Sequence, residues 1–183
     1  MFIKPINSFL MVIDPQERLL NAIYQPERVV ENIILLIKAS QEFGVPVVPT
    51  TQYRKGLGDY RPEIKNALGE IEPLDKIEFS ALKNQVIAEE VQRLSRQTAI
   101  ICGVETHICV YQTALSALEK GFRVVVVGDA TSSRSPENIS YGLSRMRELG
   151  VAVVSTEMLI YEWLEKAGTP AFKALLPYFK NKN

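Results

Sequence analysis

Five short apolar runs rich in β-branched residues, at 8–13, 45–50, 98–102, 123–127 and 151–154, constrain the fold more than any other feature of the chain. Most are continuously apolar rather than alternating, the pattern of strands buried on both faces in a parallel sheet. Helical stretches lie between them. Residues 27–43 carry apolar side chains at Val29, Ile33, Leu36 and Ile37 and end at Gly44. Further helices are expected at 86–94, at 109–120 before Gly121, at 156–166 and at 170–178. Ser135-Pro136-Glu137 places an N-cap before a proline at the first helical position, opening a helix that closes at Gly150. This β-α alternation predicts an α/β fold of three layers: a doubly wound, mostly parallel, Rossmann-like sheet with helices on both faces. With no repeat, low-complexity tract or long linker, residues 1–183 read as a single domain. The one extended loop, 51–61, is rich in Gly, Tyr and Arg and could line a pocket.

Composition narrows the function classes. Hydrophobic residues make up 46% and charged residues 23%, the balance of a globular protein rather than a disordered one. Lys plus Arg and Asp plus Glu both total 21, and no basic run stands out, which argues against nucleic acid or an anionic membrane as partner. The apolar stretches are strand-sized, so no membrane span is expected. The opening MFIKPINSFLMVIDPQ lacks the pattern of a secretory signal, so a reducing cytoplasm with free thiols is expected. Cys102 and Cys109 are seven residues apart, neither a redox pair nor a zinc spacing, and the single histidine, His107, cannot anchor a His-rich metal site.

Ligands of an open parallel sheet bind beyond the carboxyl ends of its strands, so reactive residues at strand ends are the candidates. Asp14 ends the first run, the segment from Glu105 to Cys109 follows the third, and Asp129 ends the next. Lys76 precedes Ile77-Glu78-Phe79-Ser80, which reads as a short strand leading into a helix. Cys109 falls at or near a helix start, where unpaired N–H groups and the positive dipole end favour thiolate and can hold an oxyanion. Position alone leaves it equally open that Cys109 is a small buried hydrophobe. Likewise Asp14, before Pro15, fits a turn cap, Lys76 a solvated surface residue, and Cys102 a buried strand residue. Taken together, Asp14 could accept the thiol proton and return it to a leaving amine, with Lys76 holding both groups electrostatically.

Cys102-Gly103-Val104-Glu105-Thr106-His107-Ile108-Cys109-Val110, followed by Thr113-Ala114, resembles the nucleophile motif of the isochorismatase-like cysteine hydrolases, which include nicotinamidases and N-carbamoylsarcosine amidase. Phe9 to Gln16 resembles that family's first strand with its Asp-x-Gln ending, and Lys76-Ile77-Glu78-Phe79-Ser80 its Lys-x-x-Phe-Ser segment. Val127-Gly128-Asp129-Ala130 with Ser132-Ser133-Arg134 completes the pattern over nearly the whole chain. Thr51-Gln52-Tyr53, Lys55-Gly56-Leu57-Gly58 and Arg145-Met146 fit the isochorismatase domain-containing subgroup.

The resemblance implies a nucleophilic Cys109, a general base and acid at Asp14, and Lys76 as third member of a triad. It also implies a cis peptide at Val104–Glu105, aiming the Glu105 and Cys109 amides at an oxyanion. Gln16, Tyr53 and Thr106 become candidates for the substrate pocket, and a homo-oligomer, a dimer or larger, is expected. Two departures sharpen the expectation. Metal-binding nicotinamidases use an Asp and His cluster that this chain lacks, and isochorismatases that cleave a vinyl ether typically lack the cysteine that this chain keeps. The expected function is therefore hydrolysis of a small amide, imide or carbamoyl substrate through a thioester, without metal or other cofactor. The alternative from another class is a scaffold or interaction protein that keeps the fold with little activity. A nucleotide-binding domain would need a Gly-rich loop after the first strand, where Asp14-Pro15-Gln16-Glu17-Arg18 offers none.

Overall fold

The computed structural model describes residues 2–180. One sheet is built from β1 (Ser8–Ile13), β2 (Val47–Gln52), β3 (Leu74–Lys76), β4 (Thr98–Val104), β5 (Arg123–Ser132) and β6 (Ala152–Val154). Every pairing is parallel, and the strand order is β3-β2-β1-β4-β5-β6. The chain winds outward from β1 to β3, returns to the middle, and winds outward the other way from β4. β1 and β4 are thus the neighbours between which the winding reverses, the place where an open α/β sheet accepts a ligand.

The helices are α1 (Glu17–Leu20), α2 (Pro26–Glu42), α3 (Arg54–Leu57), α4 (Pro62–Leu68), α5 (Gln85–Arg93), α6 (Tyr111–Glu119), α7 (Pro136–Glu148), α8 (Thr156–Leu164) and α9 (Pro170–Lys180). A wide π-type turn, Thr106–Val110, leads directly into α6. Alternation along the central strands divides the core into two layers. Leu10 and Val12 of β1, with Ile100 and Cys102 of β4, face the apolar sides of α2, α4 and α8. Phe9, Met11 and Ile13, with Ala99 and Ile101, face α5, α6 and Met146 of α7. Because both faces are covered, the central strands are continuously apolar over residues 9–13 and 99–102.

All five apolar runs form strands, the first with the expected bounds and the other four with shifted ends. β2 starts at Val47 and continues to Gln52, through Pro49. Leu10 N–H donates to the Pro46 carbonyl and Asp14 N–H to the Thr50 carbonyl, so the even-numbered β2 residues serve β1. Pro49 faces the other side, where pairing with β3 begins only at Thr50, so its missing N–H costs no ladder bond. The short strand expected at 77–80 lies upstream instead, at Leu74–Lys76, and Ile77 and Phe79 are left 74% and 54% exposed. Three edge residues with one apolar side chain carry no readable period. At Gly103 φ is +111°, and a Cβ there would lie 2.0 Å from the Ile13 carbonyl oxygen. Only glycine lets β1 and β4 approach this closely at their carboxyl ends.

Candidate active site

Asp14 is the first residue beyond β1 and holds a left-handed backbone, φ +50°. Its N–H is tied to the Thr50 carbonyl at 3.1 Å and its carbonyl accepts the Gln16 N–H at 2.7 Å. Tyr60 braces the same edge from behind, its hydroxyl donating to the Val12 and Thr50 carbonyls at 2.9 and 2.6 Å. This sharp turn presents the carboxylate to the neighbouring strand ends. One oxygen, Oδ1, accepts the Thr50 hydroxyl at 2.7 Å, and Oδ2 accepts Lys76 Nζ at 2.6 Å. Both side chains of that ion pair are fully buried.

Lys76 ends β3 in register with Gln52, the last residue of β2. Its ammonium also donates to Gln52 Oε1 at 2.6 Å, while Gln52 Nε2 donates to the Ile77 carbonyl at 2.9 Å. Cys109 comes from the turn after β4. Its Sγ lies 3.9 Å from Gln52 Oε1 and close enough to the Asp14 carboxyl to feel its charge. The Glu105 carbonyl accepts N–H groups from Ile108 and Val110, at 3.1 and 3.2 Å. On the outer side, Gly142 lets α7 close on this turn, since a Cβ there would lie 3.2 Å from His107 Cα. Asp14, Lys76 and Cys109, 95 residues apart at the extremes by the difference of their numbers, thus meet at the winding switch.

The electrostatics of this cluster differ from the expectation for a helix N-terminus. Burial, and then the Asp14 charge, push the Cys109 thiol up to about 12, with Lys76 opposing. Burial also raises the Asp14 carboxyl above its ordinary value, opposed by the charge and hydrogen bond of Lys76. Burial of the sulfur thus favours the neutral thiol over the thiolate in the empty site. Cys102 is pushed up by burial alone and donates weakly to the Met11 carbonyl in the core.

The remaining sequence candidates divide by placement. The Val104–Glu105 peptide is cis, and the Glu105 carboxylate is held by the Arg134 backbone N–H and Nε at 3.0 and 3.1 Å. Gln16 is fully buried behind the site rather than at its rim. Its amide donates to the Gln52 and Gly58 carbonyls and accepts the Gln52 N–H, fixing the end of β2. Thr106 is also buried, its hydroxyl paired with that of Thr131 at 2.9 Å. Tyr53, 51% exposed, is the one pocket candidate open to solvent, with its N–H tied to the Lys76 carbonyl. His107 pairs its Nδ1 with Ser133 Oγ at 2.8 Å. Among the described residues no three His, Cys, Asp or Glu side chains gather in a metal-binding group, and no helix is long and apolar enough to cross a membrane. Gln52 is the residue the sequence reading passed over. It stood only inside a segment typical of the subgroup, because a glutamine at a strand end carries no signal of its own.

Comparison with known proteins agrees with this architecture. Residues 8–158 match the family model of the isochorismatase domain. The secreted isochorismatase effector Isc1 of Phytophthora sojae is 36% identical over 180 residues, 96% of this chain and 86% of that protein. Isochorismatase domain-containing protein 2 of Danio rerio is 36% identical over 168 residues, 92% of this chain and 84% of that protein. Among solved structures, the MAR1 ribonuclease from Caenorhabditis elegans superposes with a TM-score of 0.91 at 32% identity, covering 100% of this chain and 94% of that one. The chain belongs to the isochorismatase domain family of α/β hydrolases, in its isochorismatase domain-containing protein subgroup.

Proposed function

We propose that this hydrolase cleaves a small amide, imide or carbamoyl substrate through nucleophilic attack by Cys109, with Asp14 as base and acid, Lys76 as third member of the triad, and no metal. The observation that carries the reading is the buried ion pair of Asp14 with Lys76 Nζ, at 2.6 Å, beside Cys109, whose Sγ lies 3.9 Å from the same Gln52 Oε1 that accepts Lys76 Nζ. A nucleophile, a carboxylate and an ammonium gathered at a switch point match the pattern of an acyl-transfer site.

The Cys109 proton passes to Asp14 as sulfur attacks the carbonyl carbon, and the electron pair of the C=O bond moves to oxygen. The N–H groups of Glu105 and Cys109 receive that oxyanion. Its collapse breaks the C–N bond, and the leaving nitrogen takes the proton from Asp14. Water then attacks the thioester, giving a proton to Asp14. The C–S bond breaks, and sulfur recovers the proton to restore the thiol.

Two features favour a compact, uncharged substrate. Cys109 is only 6% exposed, and exposed Tyr53, Ile77 and Phe79 put apolar surface within a few residues of Gln52 and Lys76. The C. elegans relative is named as a ribonuclease. For this chain RNA is the less favoured substrate, given its equal basic and acidic counts. A panel of small amides, imides, ureides and RNA tests the proposal. Release of amine or ammonia by the parent protein, abolished in a folded Cys109→Ala variant, is expected. Turnover by Cys109→Ala at the parent rate, or activity of the parent confined to RNA, would overturn it.

A further inference from the structure

Gln52 lies between the two groups that the proposed chemistry must coordinate. Its amide orientation is settled by its neighbours: Nε2 donates to the Ile77 carbonyl at 2.9 Å, and Oε1 accepts from Lys76 Nζ at 2.6 Å. A flipped amide would set an NH₂ group against an ammonium and a carbonyl against a carbonyl. The backbone is equally fixed. The Gln52 N–H donates to Gln16 Oε1 at 2.7 Å and its carbonyl accepts Gln16 Nε2 at 3.1 Å. The same Oε1 lies 3.9 Å from Cys109 Sγ. A fully buried ammonium has three N–H groups to satisfy, and Asp14 and Gln52 are its two acceptors here.

We propose that Gln52 is a positioning residue of the site: its side-chain carbonyl holds the Lys76 ammonium beside Cys109 and so sets how readily the thiol gives up its proton. This rests on the reading of Cys109 as nucleophile. A carboxylate acceptor in place of Oε1 would add a negative charge beside the sulfur. An apolar side chain would remove one of the two acceptors that keep the ammonium charged and in place. Either change leaves a thiolate less supported than in the parent.

The test is the pH dependence of Cys109 alkylation by iodoacetamide, followed by peptide mass spectrometry, in the parent, Gln52→Glu and Gln52→Leu proteins, with melting temperature as the check on folding. Cys102, deep in the core, is the internal control. In both variants the alkylation profile should move to higher pH, further in Gln52→Glu, with neutral-pH rates down by roughly tenfold, about one pKa unit. Gln52→Glu is nearly isosteric, and Gln52→Leu gives the answer by itself if the charged variant does not fold. A folded variant that keeps the parent profile would overturn the proposal. A parent protein in which Cys109 labels no faster than Cys102 would instead overturn the nucleophile reading beneath it, so the two failures are distinguishable.

Discussion

Replacing Lys76 with Met tests the ion pair at the centre of the site. The pair has a 2.6 Å contact and no solvent exposure on either side chain. Methionine keeps the side chain up to the position of Cε and removes the charge, which leaves the Asp14 carboxyl buried with the Thr50 hydroxyl as its remaining strong donor. Breaking a buried pair from one side costs about 3–5 kcal/mol. That is a large fraction of the 5–15 kcal/mol by which a domain is stable, and at this chain length it corresponds to a melting temperature lower by about 6–20 °C. The loss should depend on pH in a definite sense. Burial raises the Asp14 carboxyl and Lys76 is what opposes it, so the variant's folded carboxyl lies further above its unfolded value. Below the unfolded value both states are neutral and the deficit is smallest. As pH climbs toward and through the folded value, the unfolded chain ionises more readily than the folded one and stability falls. Urea unfolding in mildly acidic and mildly alkaline buffers measures this. The double variant Asp14→Asn, Lys76→Met has no buried charge left and should regain most of the loss. A Lys76→Met protein within about 1 kcal/mol of the parent in alkaline buffer would refute the argument. So would a double variant no more stable than the single one.

Two other predictions concern the thiol and the switch point. With Cys109 pushed up to about 12 in the empty site, its alkylation rate should keep rising through the alkaline range; a plateau near neutral pH, measured with stopped iodoacetamide reactions, would mean a resting thiolate and contradict the balance of burial against dipole. Gly103→Ala should lower the melting temperature by well over 10 °C or prevent soluble expression, because the added Cβ meets the Ile13 backbone at 2.0 Å. A calorimetric melt within a few degrees of the parent would show that β1 and β4 can part without cost.

What the sequence revealed follows from how each part is buried. β1, β4 and most of β5 are covered on both faces, so residues 9–13, 99–102 and 124–127 are unbroken apolar runs, visible one residue at a time. Leu74-Asp75-Lys76 has no such cover and reads as loop. Its position is set by pairing to Thr50, Thr51 and Gln52 across the sheet. The motif around Cys109 pointed to a nucleophile, but not to the charge state of its sulfur. A helix start is a local property that the sequence displays, whereas desolvation comes from the packing of the Cys109 turn against β4, β5, α6 and α7. The same reason hid the burial of Lys76 and the place of Gln52. An ammonium becomes tolerable in a core only when acceptors arrive from other strands, and those contacts span 62 and 24 residues of chain.

The resting thiol is compatible with a nucleophilic role once the cluster is treated as a whole. With the proton on sulfur, the buried charges are the Asp14 carboxylate and the Lys76 ammonium, which cancel. With the proton on Asp14, they are a Cys109 thiolate and the same ammonium, which also cancel. Transfer therefore exchanges the partner of Lys76 without changing the net buried charge, and avoids the large penalty of creating an unpaired ion in the core. The Asp14 charge that helps hold the thiol up disappears in the same step that uses Asp14 as acceptor, so the two groups titrate as a coupled pair. A substrate carbonyl seated over the sulfur would draw the thiolate into a bond as it forms. On this argument activation belongs to substrate binding, and the empty enzyme should be a modest target for general alkylating agents while remaining competent toward a carbonyl that fits.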